Sequence, residues 1–382
     1  MRIAFDHQAF CLQRTGGVSR YFCELAKAIL PTNKNVRIFA PLYRNSYLRD
    51  LPNPNVKGYW VKDYPAYTAT LCTRIMGGLA SFAIKRWQPD IIHETYYSSR
   101  PSGAKKTPIV LTVFDMISEL GFMGDQARSV DIKLTPKYQA VQRADHVICI
   151  SQSTQRDLIR LFNVPASKTS VIYLGCDAFV FDAMLETRAA GTTLAAKHAK
   201  PYLLYVGLRG AYKNFSRLLE AYSKSKRLTD DFDLMAFGAG AFTHDEQTQI
   251  TALGLSLNQV RQTAGTDEYL ANLYRNAAAF VYPSRYEGFG LPPLEAMAQG
   301  CPVVSSNTSS MPEVIGDAAE YFDPDYVDDM SAAIERVVYS PERREDLIGK
   351  GYARSKMFDW KTCATETMRL YQTIAVESRS SR

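Results

Sequence analysis

The chain has 382 residues, of which 46% are hydrophobic and 22% charged, as in an ordinary soluble globular protein with two domains. Its net charge of +6 is uneven, because residues 1–180 carry 23 Lys and Arg against 13 Asp and Glu. A basic first half would suit an anionic membrane face or an acidic acceptor, although solvated surface charges explain it equally well. Nucleic acid is a poor candidate partner, since no known nucleic-acid-binding motif accompanies the charge.

The seven cysteines are scattered without a C-x-x-C pair, which argues against a zinc or disulfide framework and favours a reduced, cytoplasmic protein. The first residues are too short an apolar run for a signal peptide, and no apolar stretch reaches the roughly 18 residues of a spanning helix. Peripheral attachment to the inner membrane face is a further hypothesis, with ordinary surface aromatics as its alternative. Its motivation is an aromatic group beside Lys57 and Lys62, namely Tyr59, Trp60, Tyr64 and Tyr67.

Short apolar runs alternate with longer helical patterns along the chain, which predicts an α/β fold with mainly parallel sheets. The strands predicted in the first half are Arg2–Phe5, Val36–Phe39, Ile91–His93, Ile109–Phe114, His146–Ile150 and Ser170–Tyr173. Those predicted in the second half are Tyr202–Val206, Asp233–Phe237, Ala278–Tyr282 and Pro302–Ser305. The helices predicted between them include Val18–Ile29, Gln152–Leu161, Ser216–Lys224 and Asp267–Asn276.

This alternation restarts near Tyr202, which predicts two Rossmann-like domains at residues 1–178 and 200–357. A polar, alanine-rich stretch at 179–199 is the predicted linker. Residues 358–382 contain a C-terminal helix that we expect to pack back on the first domain. Ligands of such domains bind beyond the carboxyl ends of the parallel strands, so we expect a site in the cleft between the two sheets.

Two glutamates eight positions apart flank a glycine-rich turn in the second half. Glu287 follows a predicted buried strand, and Glu295 lies in or near the first turn of a helix that begins at a Pro-Pro pair. Backbone N–H groups of this loop and turn favour an anion such as a diphosphate, and the carboxylates suit the hydroxyls of a sugar. A sugar-nucleotide site is one explanation; a helix-start acid beside a solvated loop acid is the other.

Two cations follow the first strand of the second half. Arg209 and Lys213 lie in the loop after Tyr202–Val206, where they would neutralise a diphosphate leaving group. Solvated loop residues are the alternative. Glycines in three other positions allow close approach to a phosphate, sugar or base, or form simple tight turns: Gly16, Gly17 and Gly238.

Two polar residues end strands of the first half and are weaker candidates. His93 would contact a sugar or acceptor, with a structural histidine as the alternative, and Asp115 would orient a sugar hydroxyl or cap a loop. No D-x-D pair lies in a plausible metal-binding context, because Asp323-Pro324-Asp325 falls in an acidic surface segment. We therefore expect no metal and no cofactor, with Arg209 and Lys213 replacing Mg²⁺.

Over nearly its whole length the chain resembles a family 4 glycosyltransferase of the GT-B fold. The most specific piece, Pro283 to Gly300, is similar to the family's E-x7-E signature, and Val206-Gly207 with Lys213-Asn214 resembles its phosphate-binding segment. Further matching segments are Arg14 to Tyr21, Ala144 to Ser151, Tyr173 to Asp177, Ser309 to Val314 and Gly316 to Ala319.

By this resemblance Glu295 would bind the donor ribose, Lys213 and Arg209 its diphosphate, and Glu287 the donor sugar. Backbone amides would assist from Gly288, Phe289, Gly290 and Leu291. The implied reaction is retaining transfer of glucose or mannose from a UDP- or GDP-sugar to a glycan, with a lipid-linked precursor of a surface polysaccharide as the expected acceptor. The favoured account is front-side attack within an ion-pair-like transition state.

The chain departs from the family pattern at two positions. Phe114 stands where many relatives have histidine, and Tyr212 stands where an arginine often precedes the phosphate lysine. A nicotinamide-dependent oxidoreductase with two Rossmann-like domains is an alternative, against which the incomplete glycine fingerprint argues. A non-catalytic subunit that binds nucleotide sugars is another, to which Phe114 lends support.

Overall fold

The computed structural model describes residues 1–65, 67–103, 106–122, 131–176 and 200–380. These residues form two compact units. The first contains the described parts of 1–119, 131–175 and 360–380, and the second contains those of 120–122, 176 and 200–359. The linker predicted at 179–199 lies outside the described residues.

The first unit is built on a parallel sheet. Its described strands are β1 (Ile3–Phe5), β2 (Val36–Tyr43), β3 (Val56–Trp60), β4 (Ile91–Glu94), β5 (Ile109–Val113), β6 (His146–Cys149) and β7 (Thr169–Val171). They lie side by side in the order β3-β2-β1-β4-β5-β6-β7. β1 is an interior strand, and its Ile3 pairs with Val36 of β2 on one side and Ile91 of β4 on the other.

Helices accompany this sheet throughout the described part of the first unit. The α-helices are Gln8–Leu12, Gly17–Ile29, Ala69–Trp87, Pro136–Arg143, Gln152–Phe162 and Trp360–Ser380. The shorter 3₁₀ turns are Tyr47–Asp50, Asn53–Asn55, Ile132–Leu134 and Ala166–Lys168. The last α-helix belongs to this unit although it comes from the end of the chain.

The second unit repeats the architecture with a parallel sheet in the order β10-β9-β8-β11-β12-β13. Its described strands are β8 (Tyr202–Val206), β9 (Asp233–Phe237), β10 (Val260–Thr263), β11 (Ala279–Tyr282), β12 (Val303–Ser306) and β13 (Ala319–Phe322). The helices are Phe215–Lys224, Lys226–Asp231, His244–Ala252, Asp267–Asn276, Leu291–Ala298, Met311–Ile315, Val327–Val338 and Pro341–Ser355, with a 3₁₀ turn at Ala211–Lys213. Two parallel-sheet, Rossmann-like domains are thereby confirmed.

Local sequence signals explain where several of these helices begin. The side chains of Ser151 and Thr266 accept hydrogen bonds from backbone N–H groups three residues on, as helix caps do. Thr243 and Glu246 form a reciprocal capping box at the start of His244–Ala252. The strand β11 is buried along its whole length, as its unbroken apolar run predicts.

Each of the ten strands predicted from the sequence is present. The ends of nine of them differ by at most two residues, whereas β2 continues four residues beyond the predicted end at Phe39. Three strands went unpredicted, and all three lie at sheet edges: β3, β10 and β13. An edge strand is partly solvated, so its sequence lacks the apolar run that marks a central strand; β3 exposes Lys57, Tyr59 and Trp60. The 19-residue helix Ala69–Trp87 was also unpredicted.

Among the described residues, none of the helices combines the length and the apolar composition that a membrane span needs. All seven cysteines fall in the described part of the chain as free thiols, and six of them are buried.

Candidate functional site

Two of the predicted site residues meet in the second unit. Lys213 follows β8 and Glu287 follows β11, and the Nζ of Lys213 lies 2.6 Å from Oε1 of Glu287. Both side chains are mostly buried. A backbone hydrogen bond of 2.8 Å from Arg285 N to the carbonyl of Tyr212 ties the two loops together.

Tyr282, the last residue of β11, completes this polar cluster. Its phenol donates a hydrogen bond to Glu287, and its ring centroid lies 5.5 Å from Nζ of Lys213. Burial, followed by the negative charge of Glu287, raises the pKa of Tyr282 well above its ordinary value. The phenol therefore stays protonated, and the Glu287 carboxylate accepts from both neighbours.

The backbone after Glu287 is held by two serines that the sequence reasoning did not select. Ser309 Oγ accepts a 2.8 Å hydrogen bond from the N–H of Glu287. Ser310 Oγ lies 2.9 Å from the carbonyl oxygen of Glu287 and 2.8 Å from that of Phe289. The match of Ser309 to Val314 to the family pattern is the sequence signal from which they could have been selected.

This loop leads into the helix Leu291–Ala298 through Gly290, whose φ of +110° lies in the region that favours glycine. Two prolines in the first turn suit a helix start. Glu295 is the fifth residue of the helix, and the Tyr274 phenol lies 3.4 Å from its Oε2. Burial and then the charge of Glu295 raise the pKa of Tyr274 well above its usual value.

Lys213 is placed by the residue that follows it. Asn214 has a φ of +61°, a left-handed conformation that asparagine tolerates, and it precedes the helix Phe215–Lys224. Its buried side chain donates a 2.9 Å hydrogen bond to the carbonyl of Pro324. In that same acidic segment, Asp325 forms ion pairs with Arg217 and Arg285.

Arg209 has a different environment from Lys213. Its side chain is only 4% exposed and forms a two-pronged ion pair with Glu246, at 2.7 and 3.1 Å. Its remaining N–H groups donate to the carbonyl oxygens of Gly238, Gly240 and Ala241 at 3.0–3.2 Å. In this structure the guanidinium therefore binds the loop after β9, and its contact with a diphosphate stays a prediction.

The loop that Arg209 binds has an unusual backbone. Gly238, Ala239 and Gly240 all have positive φ, at +96°, +56° and +70°. A Cβ added at Gly238 would lie 3.5 Å from the carbonyl oxygen of Gly207, the residue that follows β8. Gly238 therefore lies in a tight turn that Arg209 stabilises, and its contact with a nucleotide base stays a prediction.

The other four predicted residues belong to the first unit. Gly16 precedes the helix Gly17–Ile29, and a Cβ there would lie 2.7 Å from Oε1 of Gln13, whereas a Cβ at Gly17 would meet open space. Gln13 Oε1 in turn accepts a 3.0 Å hydrogen bond from the N–H of Ser19. The glycine loop is therefore closed over the first turn of its helix by a glutamine side chain.

His93 is fully buried inside the first unit. Its Nδ1 lies 2.5 Å from the phenol oxygen of Tyr371, and its Nε2 lies 2.8 Å from Oγ1 of Thr112. Burial lowers the pKa of His93 to about 3, so the imidazole is neutral. Both ring nitrogens are used within the protein, where they connect the C-terminal helix to β4 and β5.

Asp115 caps its own loop by accepting a 3.0 Å hydrogen bond from the N–H of Ile117, and it lies 3.7 Å from Nζ of Lys137. Phe114, at the position where many relatives have histidine, packs edge-on against Tyr21 with ring centroids 5.3 Å apart. No cluster of three or more metal-binding side chains occurs within the described residues.

Two sequence families match the chain in succession. Residues 15–178 match "Glycosyltransferase Family 4", and residues 186–354 match "Glycosyl transferases group 1". The chain belongs to the family 4 glycosyltransferases. It has their GT-B fold of two Rossmann-like domains.

Among its relatives is the O-antigen chain mannosyltransferase B of Escherichia coli, 35% identical over 62% of this chain. The match spans 62% of the length of that relative. Sucrose-phosphate synthase from Thermosynechococcus elongatus superposes with a TM-score of 0.76 at 20% identity, covering 99% of this chain and all of the other. Anabaena HepE, solved in complex with UDP and glucose, gives 0.69 at 18% identity, covering 97% and 99%.

Proposed function

We propose that the protein is a retaining, metal-independent hexosyltransferase that moves a sugar from a UDP- or GDP-sugar to a lipid-linked glycan acceptor. The observation that carries the proposal is the Lys213–Glu287 pair in the loops after two adjacent parallel strands. Ligands of open α/β sheets bind at that edge. Family membership disfavours the oxidoreductase alternative of the sequence.

The mechanism assigns a separate task to each charged group. When the glycosidic bond to the diphosphate breaks, negative charge grows on the leaving oxygen, and the ammonium of Lys213 stabilises it. Once released from Lys213, the Glu287 carboxylate accepts hydrogen bonds from hydroxyls of the transferred sugar. Glu295 accepts hydrogen bonds from the ribose hydroxyls. The acceptor hydroxyl attacks the anomeric carbon from the face that the diphosphate leaves and passes its proton to the departing phosphate oxygen. The new bond therefore forms on the face of the broken bond, and the sugar keeps its anomeric configuration.

Mannose is the sugar of first choice, because the relative from Escherichia coli is named a mannosyltransferase of an O-antigen chain. UDP is supported by the nucleotide found with Anabaena HepE, and GDP stays equally open. The acceptor proposed on the same basis is a growing, lipid-linked polysaccharide destined for the cell surface.

A donor screen tests this proposal. The purified protein is incubated with GDP-mannose, UDP-glucose and their relatives, and release of GDP or UDP is measured with and without glycan acceptors. Lys213→Ala and Glu295→Ala are expected to abolish turnover, while the exposed Lys224→Ala and Glu345→Ala serve as matched controls. Retention is read from the anomeric configuration of the product by NMR.

Full activity in both site variants would refute the placement of the site. Tight binding of a nucleotide sugar without turnover across a broad acceptor panel would instead favour the non-catalytic subunit.

A further inference from the structure

The helix Ala69–Trp87 of the first unit leaves one apolar face exposed. Its opposite face packs into the protein through Met76, Ala80 and Ile84, which are buried among residues of the sheet and of the neighbouring segment. The exposed apolar side chains follow at spacings of four, four and three residues, which places them on one stripe: Leu71, Ile75, Leu79 and Phe82, between 49% and 69% exposed.

The charges on this helix have one sign. Arg74, Lys85 and Arg86 are exposed, and Ala69–Trp87 contains no Asp or Glu. In a helix with 100° per residue, Arg74 and Lys85 lie along one side of the stripe and Arg86 lies within it. An apolar stripe flanked by cations is complementary to a surface that is apolar below and anionic above.

Aromatic residues extend the same surface. Tyr64 and Val61 pack against Met76 and Cys72 of the helix, which places the end of β3 and the following segment beside it. That segment exposes Tyr59, Trp60 and Tyr67. Tyrosine and tryptophan favour the level of lipid headgroups, because one part of the ring system is apolar and another forms hydrogen bonds.

A cationic cavity lies at the carboxyl end of the helix. It has a volume of about 380 Å³, and four cations and one carboxylate are among the residues that line it, namely Arg2, Lys85, Lys106, Arg379 and Asp90. Lys85 belongs both to this cavity and to the exposed side of the helix. The excess of cations suits a phosphate group of a lipid headgroup.

We propose that this face, formed by the exposed stripe of Ala69–Trp87 with its flanking cations and the aromatic segment, docks on an anionic lipid bilayer. The helix lies in the plane of the interface, with Leu71, Ile75, Leu79 and Phe82 inserted among the acyl chains and the cations at the phosphates. This inference rests on the surface alone and does not depend on the glycosyl transfer proposed above.

Co-sedimentation of the full chain with vesicles tests the proposal. We expect binding to mixed phosphatidylglycerol–phosphatidylcholine vesicles at low salt, weaker binding at high salt, and little binding to pure phosphatidylcholine. Ile75→Asp/Phe82→Asp should weaken binding at least about tenfold, the factor that corresponds to ~1.4 kcal/mol. Both side chains are exposed, so folding, checked by thermal melting, should persist.

The matched control is Leu257→Asp/Tyr326→Asp, which places two carboxylates at similarly exposed apolar positions of the second unit. This control changes the net charge by the same amount as the stripe variant, but its two substitutions lie outside the proposed face. It should therefore bind vesicles within about twofold of the unmodified protein. Absence of binding at low salt, equal loss in both double variants, or unchanged binding of the stripe variant would overturn the proposal. So would a lipid-free dimer that the stripe substitutions dissociate, because a second copy would then cover the stripe.

Discussion

Lys213 and Glu287 are 74 positions apart in the sequence, yet the ammonium of one lies 2.6 Å from the carboxylate of the other. They meet because β8 and β11 are adjacent and parallel, so the loops after their carboxyl ends share one edge of the sheet. The ammonium proposed to receive a diphosphate is thereby held and neutralised by the carboxylate proposed to bind the sugar. Donor binding would replace the Lys213–Glu287 contact with a contact between Lys213 and the diphosphate and another between Glu287 and the sugar.

Lys213→Met should reduce turnover about 10²- to 10³-fold, because it removes the charge that stabilises the leaving group. It should also destabilise the fold by ~1–3 kcal/mol, since it leaves the buried Glu287 carboxylate without its cation. Adding Glu287→Gln should restore most of that stability without restoring turnover. Urea unfolding and nucleotide release measure the two effects, and recovery of turnover in the double variant would contradict the assigned role.

Arg209→Lys and Glu246→Gln should each raise the KM for the donor, because both break the two-pronged pair that holds the loop at Gly238–Ala241. Since the pair acts as one unit, we expect the double variant to be no worse than either single variant, with effects near tenfold. If Arg209 instead binds the diphosphate directly, Arg209→Lys will remain harmful in the Glu246→Gln background. Steady-state kinetics with varied donor decides between these outcomes.

Gly290→Ala should destabilise the protein by ~1–3 kcal/mol, because alanine is strained at a φ of +110°. The control is Gly349→Ala within the helix Pro341–Ser355, where a Cβ meets no atom within 4 Å. That change should stabilise the protein by ~0.5–1 kcal/mol. Equal thermal melting temperatures for the two variants would argue against a requirement for glycine at 290.

The free energy of unfolding should decrease as the pH is lowered, because the buried His93 takes up a proton more readily in the unfolded chain than in the folded protein. Its pKa is lowered from 6.5 to about 3 in the folded protein, so its contribution is present above pH 6.5 and is lost as the pH falls toward 3. In that window the free energy of unfolding decreases by ~1.4 kcal/mol per pH unit for one proton. His93→Gln should reduce the slope of the free energy of unfolding against pH by this amount, whereas the exposed His244→Gln should leave the contribution of His93 in place, as denaturant unfolding at several pH values would show.

Chelation of divalent metals should leave turnover unchanged, because Lys213 is proposed to supply the positive charge that Mg²⁺ supplies elsewhere. Nucleotide release is compared before and after treatment with EDTA, with re-addition of Mg²⁺ and Mn²⁺. A loss on chelation that metal restores would refute metal independence while leaving the donor site itself untested by that result.

The strands and the glycosyltransferase signature were predictable from the sequence because each depends on residues that are close together along the chain. The apolar run of β11, the glycine turn after Glu287 and the prolines before Glu295 specify strand, loop and helix locally. The edge strand β3 escaped prediction because solvent covers part of it. The stripe on Ala69–Trp87 also escaped, since an apolar pattern does not say which of its faces the sheet will cover.

The sequence by itself determined that two Rossmann-like domains form and that Arg209, Lys213, Glu287 and Glu295 occupy loops and a helix start at strand ends. Only the tertiary structure decided what each side chain contacts. It brings Lys213 into an ion pair with Glu287 and Arg209 into an ion pair with Glu246. It also enclosed His93 with Tyr371, 278 positions away. Local spacing sets backbone conformation, whereas the partner of a charged or polar side chain comes from whichever distant strand or helix the sheet order brings beside it.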